Sequence, residues 1–338
     1  MNNYKSLGLD RAMYHSSRGS FSQLLEELDP SGDYAGTDLG GLDAYERQLK
    51  RFDIRVKGPR SNQVEKFFST ASSAALFPEY VARAVHQGMG EAAILESIVA
   101  SKTNIDSLDY RSISVDNGKE LMELKAVGEG QEIPETAIHL KENLVRLKKR
   151  GRMLAASYEA LRFQRLDLFT VALRQIGGYI AKSQLDDAVE VLVNGDGSPE
   201  SAAEVLETAA PDMAYGDLVR LWEQFEEYQM NTLLAAPDMA AKLLNLPEFK
   251  DPAAGLGFQN SGKLGTPLGA VLFKTASVPA GTLVALDSRC ALEMVTAGEV
   301  QVDYDKLISC QLERAAITSI AGFVKIFPAA VKVLTLKS

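Results

Sequence analysis

Apolar residues recur at helical spacing in short stretches near the start of the chain and at strand spacing near its end. Phe21, Leu24, Leu25 and Leu28 follow a helical period, with Ser20 and Gln23 at capping-box spacing and Pro30 closing the turn. Leu42, Tyr45, Leu49 and Phe52 predict a second short helix over 42–52, after a linker holding Gly32, Gly36, Gly40 and Gly41. Such pieces cannot bury their apolar faces alone. The first 75 residues therefore read as an arm lying either on the body of its own chain or on a neighbouring subunit.

Phe77-Pro78-Glu79 reads as a helix start with proline at the first helical position, and Val81, Val85 and Met89 supply its apolar face. Gly88 and Gly90 are expected to break that helix before 92–99 resumes it. From Asn104 to Arg152 the period changes: Met122, Leu124 and Ala126 alternate with Glu123 and Lys125, and a turn-rich middle over 128–136 separates them from a second strand over 138–153. A two-stranded excursion of that kind is marginal by itself and needs outside support. Asp167 to Val193 is the longest helical pattern, roughly 40 Å at 1.5 Å per residue, and Asn194-Gly195-Asp196-Gly197 stops it. Residues 199–246 read as mainly helical, with Leu218, Leu221, Trp222 and Phe225 on one face, and 247–281 as loop. Strands are expected over 282–286, 292–295, 300–304, 312–327 and 331–336.

Length and composition set bounds. At 338 residues, 46% hydrophobic and 24% charged, the chain has material for about two cores. Lys+Arg number 36 against 45 Asp+Glu, a net charge of −9, which argues against a dedicated nucleic-acid binder. Cys290 and Cys310 are the only cysteines and His15, His86 and His139 the only histidines, so neither a disulfide scaffold nor a zinc site is expected. Met1 to Ser20 lacks a continuous apolar stretch, and no run of about eighteen apolar residues occurs, so no signal peptide and no membrane partner are expected.

Candidate catalytic motifs fail on context. Gly257 to Lys263 satisfies GxxxxGK, but Leu264 stands where a magnesium-binding Ser or Thr belongs, and the flanks carry Pro252 and Pro267 instead of a strand and a helix. Asn194 to Ser198 resembles the start of a calcium loop without its twelfth-position Glu, and reads as a helix stop. Acidic pairs such as Asp186-Asp187, Glu226-Glu227 and Asp303 with Asp305 are ordinary solvated faces in an acidic chain. No catalytic residue, metal site or cofactor is expected, and the chain is not read as an enzyme. One charge feature stands out: Lys141, Arg146, Lys148, Lys149, Arg150 and Arg152 fall close together with only Glu142 opposing them. On a strand, Arg146, Lys148, Arg150 and Arg152 share a face. They are either a solvated edge protected by its charges or a contact surface, for an acidic patch on the next copy in preference to DNA.

The order of these parts resembles the major capsid proteins of tailed bacteriophages with the HK97-like fold. The resemblance covers about Phe77 to Leu336. Its segments include Gly265-Thr266-Pro267-Leu268-Gly269 followed by Val278-Pro279-Ala280-Gly281-Thr282. The clearest is Val300 to Leu336, with Leu312-Glu313-Arg314-Ala315-Ala316 running into Phe323-Val324-Lys325 and Pro328-Ala329-Ala330. It implies an α+β fold with an N-terminal arm (1–75) and an E-loop hairpin (104–151). A peripheral domain would be assembled from 76–103, 152–198 with a spine helix, and 290–328. An axial domain would comprise 199–289 and a closing strand at 329–338.

The implied function is a structural shell protein, self-assembling into hexamers and pentamers of an icosahedral head that encloses phage DNA. The partners implied are many copies of itself, a separate scaffolding protein, a portal, and nonspecific contact with packaged DNA. The implied location is the virion, assembled in the host cytoplasm. Some family members weld their shells through a Lys–Asn isopeptide, but Ala291 to Arg314 contains no Asn, so no such link is expected and Lys125 and Lys141 receive no chemical role. Some also begin with a long cleaved scaffolding segment, for which this chain has no room; a separate scaffold or an already mature chain is implied. An encapsulin-type nanocompartment shell is the same-fold alternative, and a nucleotide-binding enzyme built on Gly257 to Lys263 is the alternative of another class.

Overall fold

The computed structural model describes residues 5–15, 20–91, 94–107, 109–115, 126–131, 133, 138–157, 163–198, 201–250, 268–307, 309 and 312–337. In chain order the first elements are α1 (Phe21–Leu28), α2 (Ala44–Arg51), α3 (Ala71–Ala74), α4 (Phe77–Glu91) and α5 (Ile94–Ile98). Four strands follow, β1 (Ser101–Ile105), β2 (Ile113–Val115), β3 (Ile138–Leu140) and β4 (Lys148–Ser157), and then the long helix α6 (Leu166–Asn194). Next come β5 (Glu204–Glu207), α7 (Tyr215–Glu223), β6 (Thr232–Ala235), α8 (Pro237–Asn245), α9 (Pro247–Lys250) and β7 (Val271–Lys274). The chain closes with β8 (Thr282–Leu286), β9 (Leu292–Ala297), β10 (Gln301–Leu307), β11 (Leu312–Lys325) and β12 (Val331–Thr335).

These elements form two compact units, each made of three chain segments. The first takes 1–92, 149–181 and 298–320. Its core joins Phe21 and Leu25 of α1, Tyr45 and Leu49 of α2, Phe67, Leu76, Phe77, Tyr80 and Val85, Leu166 and Leu173 of α6, and Ile317. The apolar faces of the N-terminal helices are therefore covered by their own chain, which decides between the two coverings the sequence left open. The predicted cap forms, with Ser20 exchanging hydrogen bonds with Gln23, and the structure adds a second one in which Asp43 does the same with Glu46. The segment is tied down by Arg47, which is fully buried. Its guanidinium donates to Asp29 Oδ2 at 3.0 Å and Ser31 Oγ at 3.0 Å, and it stacks over the Tyr34 ring. Residues 31–34 form a turn of 3-10 helix inside what reads as a linker.

Glycine placement corrects one expectation in this unit. α4 continues through Gly88 and Gly90 to Glu91. A Cβ on Gly88 would lie 1.9 Å from the Arg174 carbonyl oxygen, and one on Gly177 would lie 2.0 Å from that of Val85. α4 and the first half of α6 thus cross backbone against backbone, and the glycines permit contact instead of ending a helix. β10 pairs antiparallel with the first part of β11, Tyr304 opposite Ala315, and β4 also pairs with β11.

The second unit takes 93–148, 182–297 and 321–338. Its five-stranded sheet runs β5-β12-β8-β6-β7, with β12 parallel to β5 and antiparallel to β8, and β6 antiparallel to β8 and parallel to β7. β6 and β8 are buried at every position. Leu218 and Leu221 of α7, Met239 and Leu243 of α8, and Leu185, Val189 and Leu192 from the second half of α6 share their core. A second ladder places β9 between β1, parallel, and the end of β11, antiparallel. Residues 199–246 are not mainly helical. The run Thr232-Leu233-Leu234-Ala235 is a fully buried strand, and a short apolar run of this kind carries no period to distinguish it from a helix. Trp222 is 50% exposed and does not join Leu218, Leu221 and Phe225 in the core. The long helix has 29 residues, extending the predicted span by one at each end.

Substitution at the helix crossing tests this packing. Gly177→Ala should destabilise the chain by about 1–3 kcal/mol because a backbone oxygen occupies the new methyl's place. Gly178→Ala, whose Cβ meets nothing nearer than 3.9 Å, should stabilise it by about 0.5–1 kcal/mol. Urea denaturation of the two single variants measures both signs.

Candidate assembly surface

The hairpin β2/β3 stands within the second unit as a two-stranded sheet of its own. Ile113 pairs directly with Leu140, and Ile138 lies two residues before Leu140, so the three share one face. That face is uncovered: Ile113, Ile138 and Leu140 are 45%, 67% and 68% exposed. The alternation predicted around Met122 and Leu124 lies outside the described residues, as do Lys125, Cys310 and Gly257 to Lys263.

Polar contacts fix the base of this hairpin. Glu293 on β9 is buried, and its carboxylate accepts from Thr103 Oγ1 at 2.6 Å, Tyr110 Oη at 2.7 Å and Ser112 Oγ. One carboxylate thereby fixes the middle of β1 and the approach to β2. On the returning side, the Lys141 amide donates to the Ser112 carbonyl at 2.8 Å and the Val145 amide to that of Tyr110 at 2.9 Å. Gly322 of β11 faces the Arg146 carbonyl where a Cβ would come within 2.6 Å, so only glycine admits this approach.

The basic residues of 141–152 divide into separate roles. Lys141 is largely buried, and its Nζ donates to Asp196 Oδ2 at 2.8 Å and to the Lys325 carbonyl at 2.6 Å. Burial alone would raise the Asp196 pKa, but hydrogen bonds from Lys141 and Ser198 outweigh it and bring it down to about 2. Asp196 is therefore the inward partner of a lysine, with Gly195 at φ 85° and Gly197 at φ 90° turning the chain around it after the helix. Among the described residues no group of acidic, His or Cys side chains could hold a metal. Lys148 reaches Asp187 at 2.8 Å and Glu190 at 3.2 Å on the long helix, and the first of these holds its pKa above the ordinary value. So the pair Asp186-Asp187 does not act as one solvated face: Asp187 is buried and bonded to Lys148. Arg146, Lys149 and Arg152 are exposed and have no ion-pair partner among the described residues. Arg150 is half-buried and has contacts of its own.

The strand expected over 138–153 is interrupted. Only Ile138–Leu140 and Lys148–Ser157 are strands, because Lys141 turns inward to Asp196 and Val145 is buried against Val295 and Val324. Arg146 consequently precedes β4 instead of sharing its face. A cavity of about 210 Å³ lies beside this segment, lined in part by Lys141, Arg146, Asp196 and Gly322. Lys325 is fully buried with its Nζ lacking a hydrogen-bond partner among the described residues, and burial lowers its pKa to about 8.

Sequence reasoning passed over Glu293, Asp196 as a partner and Lys325. An acidic residue opening an otherwise apolar strand, and a lysine closing one, were the available signals. Cys290 is a free, half-buried thiol whose pKa burial raises to about 11, so it is protonated at neutral pH.

Residues 141–308 match the family model described as phage capsid protein. Among solved structures, the capsid of a native GTA particle aligns with a TM-score of 0.54 at 16% identity, covering 73% of this chain and 91% of that one. The virus-like particle from Pyrococcus furiosus aligns at 0.51 with 14% identity, covering 76% and 99%. Mycobacterium phage Che8 aligns at 0.51 with 15% identity, covering 68% and 84%. No curated protein matches the sequence.

Two substitutions separate the inward and outward cations. Lys141→Ala leaves Asp196 buried without its partner and should cost about 3–5 kcal/mol of stability in a denaturant titration. Arg146→Glu with Lys149→Glu alters exposed groups. It should leave the melting of the unassembled chain unchanged while impairing particle formation in light scattering; unaltered assembly would remove the electrostatic contact.

Proposed function

We propose, on the premise that this chain has the HK97-like capsid fold, that it is a structural shell protein whose copies assemble into hexamers and pentamers of an icosahedral phage head. The fold itself is α+β and HK97-like, and the resemblance to the major capsid proteins of tailed bacteriophages holds in both the family match and the solved structures. The observation that carries the functional reading is the uncovered apolar face of Ile113, Ile138 and Leu140. A two-stranded ribbon is marginal in water, and the hydrogen bonds of Glu293, Lys141 and Val145 hold this one at its base. A face built this way is material for another copy to cover.

Assembly then proceeds by repetition. A contact between unlike patches of identical chains closes into rings when its rotation divides a circle, and many weak contacts accumulate across a closed shell. The exposed cations Arg146, Lys149 and Arg152 favour an acidic patch on the next copy, which a chain of net charge −9 supplies. Contact with enclosed DNA would be nonspecific and weak. A separate scaffolding protein and a portal are the further partners, the virion is the site of action, and no enzymatic step is required. Among the described residues no helix is long and apolar enough to cross a membrane.

Size exclusion and negative-stain microscopy of the purified chain, across salt, magnesium and crowding agents and with or without co-expressed candidate scaffold, test the reading. Rings or shells are expected. A strictly monomeric product in every condition would contradict it, and shells that carry a protein cargo instead of nucleic acid would favour the encapsulin alternative.

A further inference from the structure

Where the returning side of the hairpin, the loop after α6 and the end of β11 meet, the second unit encloses two lysines and one carboxylate. Lys141 holds the hairpin's base there, its Nζ donating to Asp196 Oδ2 at 2.8 Å and to the Lys325 carbonyl at 2.6 Å. The Lys325 side chain is itself fully buried, and its Nζ is closed off from solvent with no hydrogen-bond partner among the described residues. A buried ammonium without an acceptor is costly, and the cost is removed either by losing the proton or by reaching a carboxylate.

The surroundings leave few carboxylates to reach. Burial disfavours the charged form of Lys325 most, Asp196 favours it, and Lys141 opposes it. On β9, Leu292 stands opposite Lys325 and is apolar, whereas Glu293 stands opposite Val324 and so lies on the other face, bonded to Thr103, Tyr110 and Ser112. In the turn before β9, Asp287 is taken by Arg289 at 2.8 Å, and on α6 Asp187 and Glu190 are taken by Lys148. The two lysines therefore have Asp196 between them, and Lys141 has it.

We propose that Lys325 is a proton-operated switch on the hairpin's base: with its proton it competes with Lys141 for Asp196 and the hold loosens, and without it Lys141 keeps Asp196 and the hold is tight. The switch is a property of the single chain and does not depend on assembly. Its window follows from the direction of the shift. The closed corner keeps the Lys325 pKa at about 8, below the 10.5 of a solvated lysine, so opening the corner takes up a proton between those two values. The closed form therefore gains on the open one as pH rises from about 8 to 10.5, by up to roughly 300-fold, and below about 8 that gain is absent.

Pulsed hydrogen–deuterium exchange on the full-length, unassembled chain from pH 7 to 10.5, corrected for the pH dependence of intrinsic exchange, reads the hold through the Lys141 amide, which is bonded to the Ser112 carbonyl. Its protection should rise by roughly tenfold or more above pH 8, while amides of the buried strands β6 and β8 keep theirs. Lys325→Met, with no proton to carry, should hold the high level at every pH, and Lys325→Arg, charged throughout, should hold the neutral-pH level at every pH. Wild-type protection that does not change with pH, or a slope that survives either substitution, would overturn the switch. An equal rise in β6 and β8 would also overturn it, assigning Lys325 to global stability alone. If a variant fails to fold, titration of the wild-type lysine Nζ groups by NMR decides: Lys325 should titrate near 8, and titration near 10.5 would overturn the proposal.

Discussion

A two-stranded ribbon cannot hold its own shape in water, and the second unit is organised around that constraint. The β2/β3 hairpin buries little of its own surface, so its direction is set at the base by polar contacts with exact partners. Glu293 accepts three hydroxyl hydrogen bonds there, and Lys141 turns inward to Asp196. Both arrangements are buried and well bonded, which is the condition under which hydrogen bonds and an ion pair offset the desolvation cost of polar groups and let them specify geometry. Beyond this bonded base the apolar face of Ile113, Ile138 and Leu140 is uncovered.

The first unit solves a different problem. Its N-terminal helices are too short to be stable alone, and they gain their stability by packing around Phe67, Phe77 and Tyr80. Arg47 ties the turn after α1 to α2 through a buried ion pair with Asp29, and the glycine crossing at Gly88 and Gly177 lets α4 lie against α6 at backbone distance. The same helices that look like loose pieces in the sequence thus share one core.

Elements whose boundaries are set by local chemistry were legible in the sequence. Ser20 with Gln23, Gly195 with Gly197, and the strands from Thr282 onward follow rules that act within a few residues. Features fixed by distant partners were not. Gly88 looks like a helix breaker until Arg174 is seen against it, and β6 has no readable period because all four of its residues are buried. In the basic stretch, charge density alone was visible. That Lys141 points inward to Asp196 and Lys148 binds Asp187 depends on residues 55 and 39 positions away. The fold class was readable from the order of parts, since it is a property of sequence along the chain, whereas the division of labour among six cations is a property of contacts.

In the proposed assembly, the surfaces one chain leaves uncovered at the hairpin are those another copy covers. Hydrogen–deuterium exchange on unassembled chain and on purified particles tests it directly. The amides of 113–115 and 138–140 should exchange slowly in particles and fast in the free chain, while that of Val145, hydrogen-bonded to Tyr110 in the single chain, should be protected in both. Hairpin amides that exchange equally fast in both states would contradict coverage of the hairpin by a second copy.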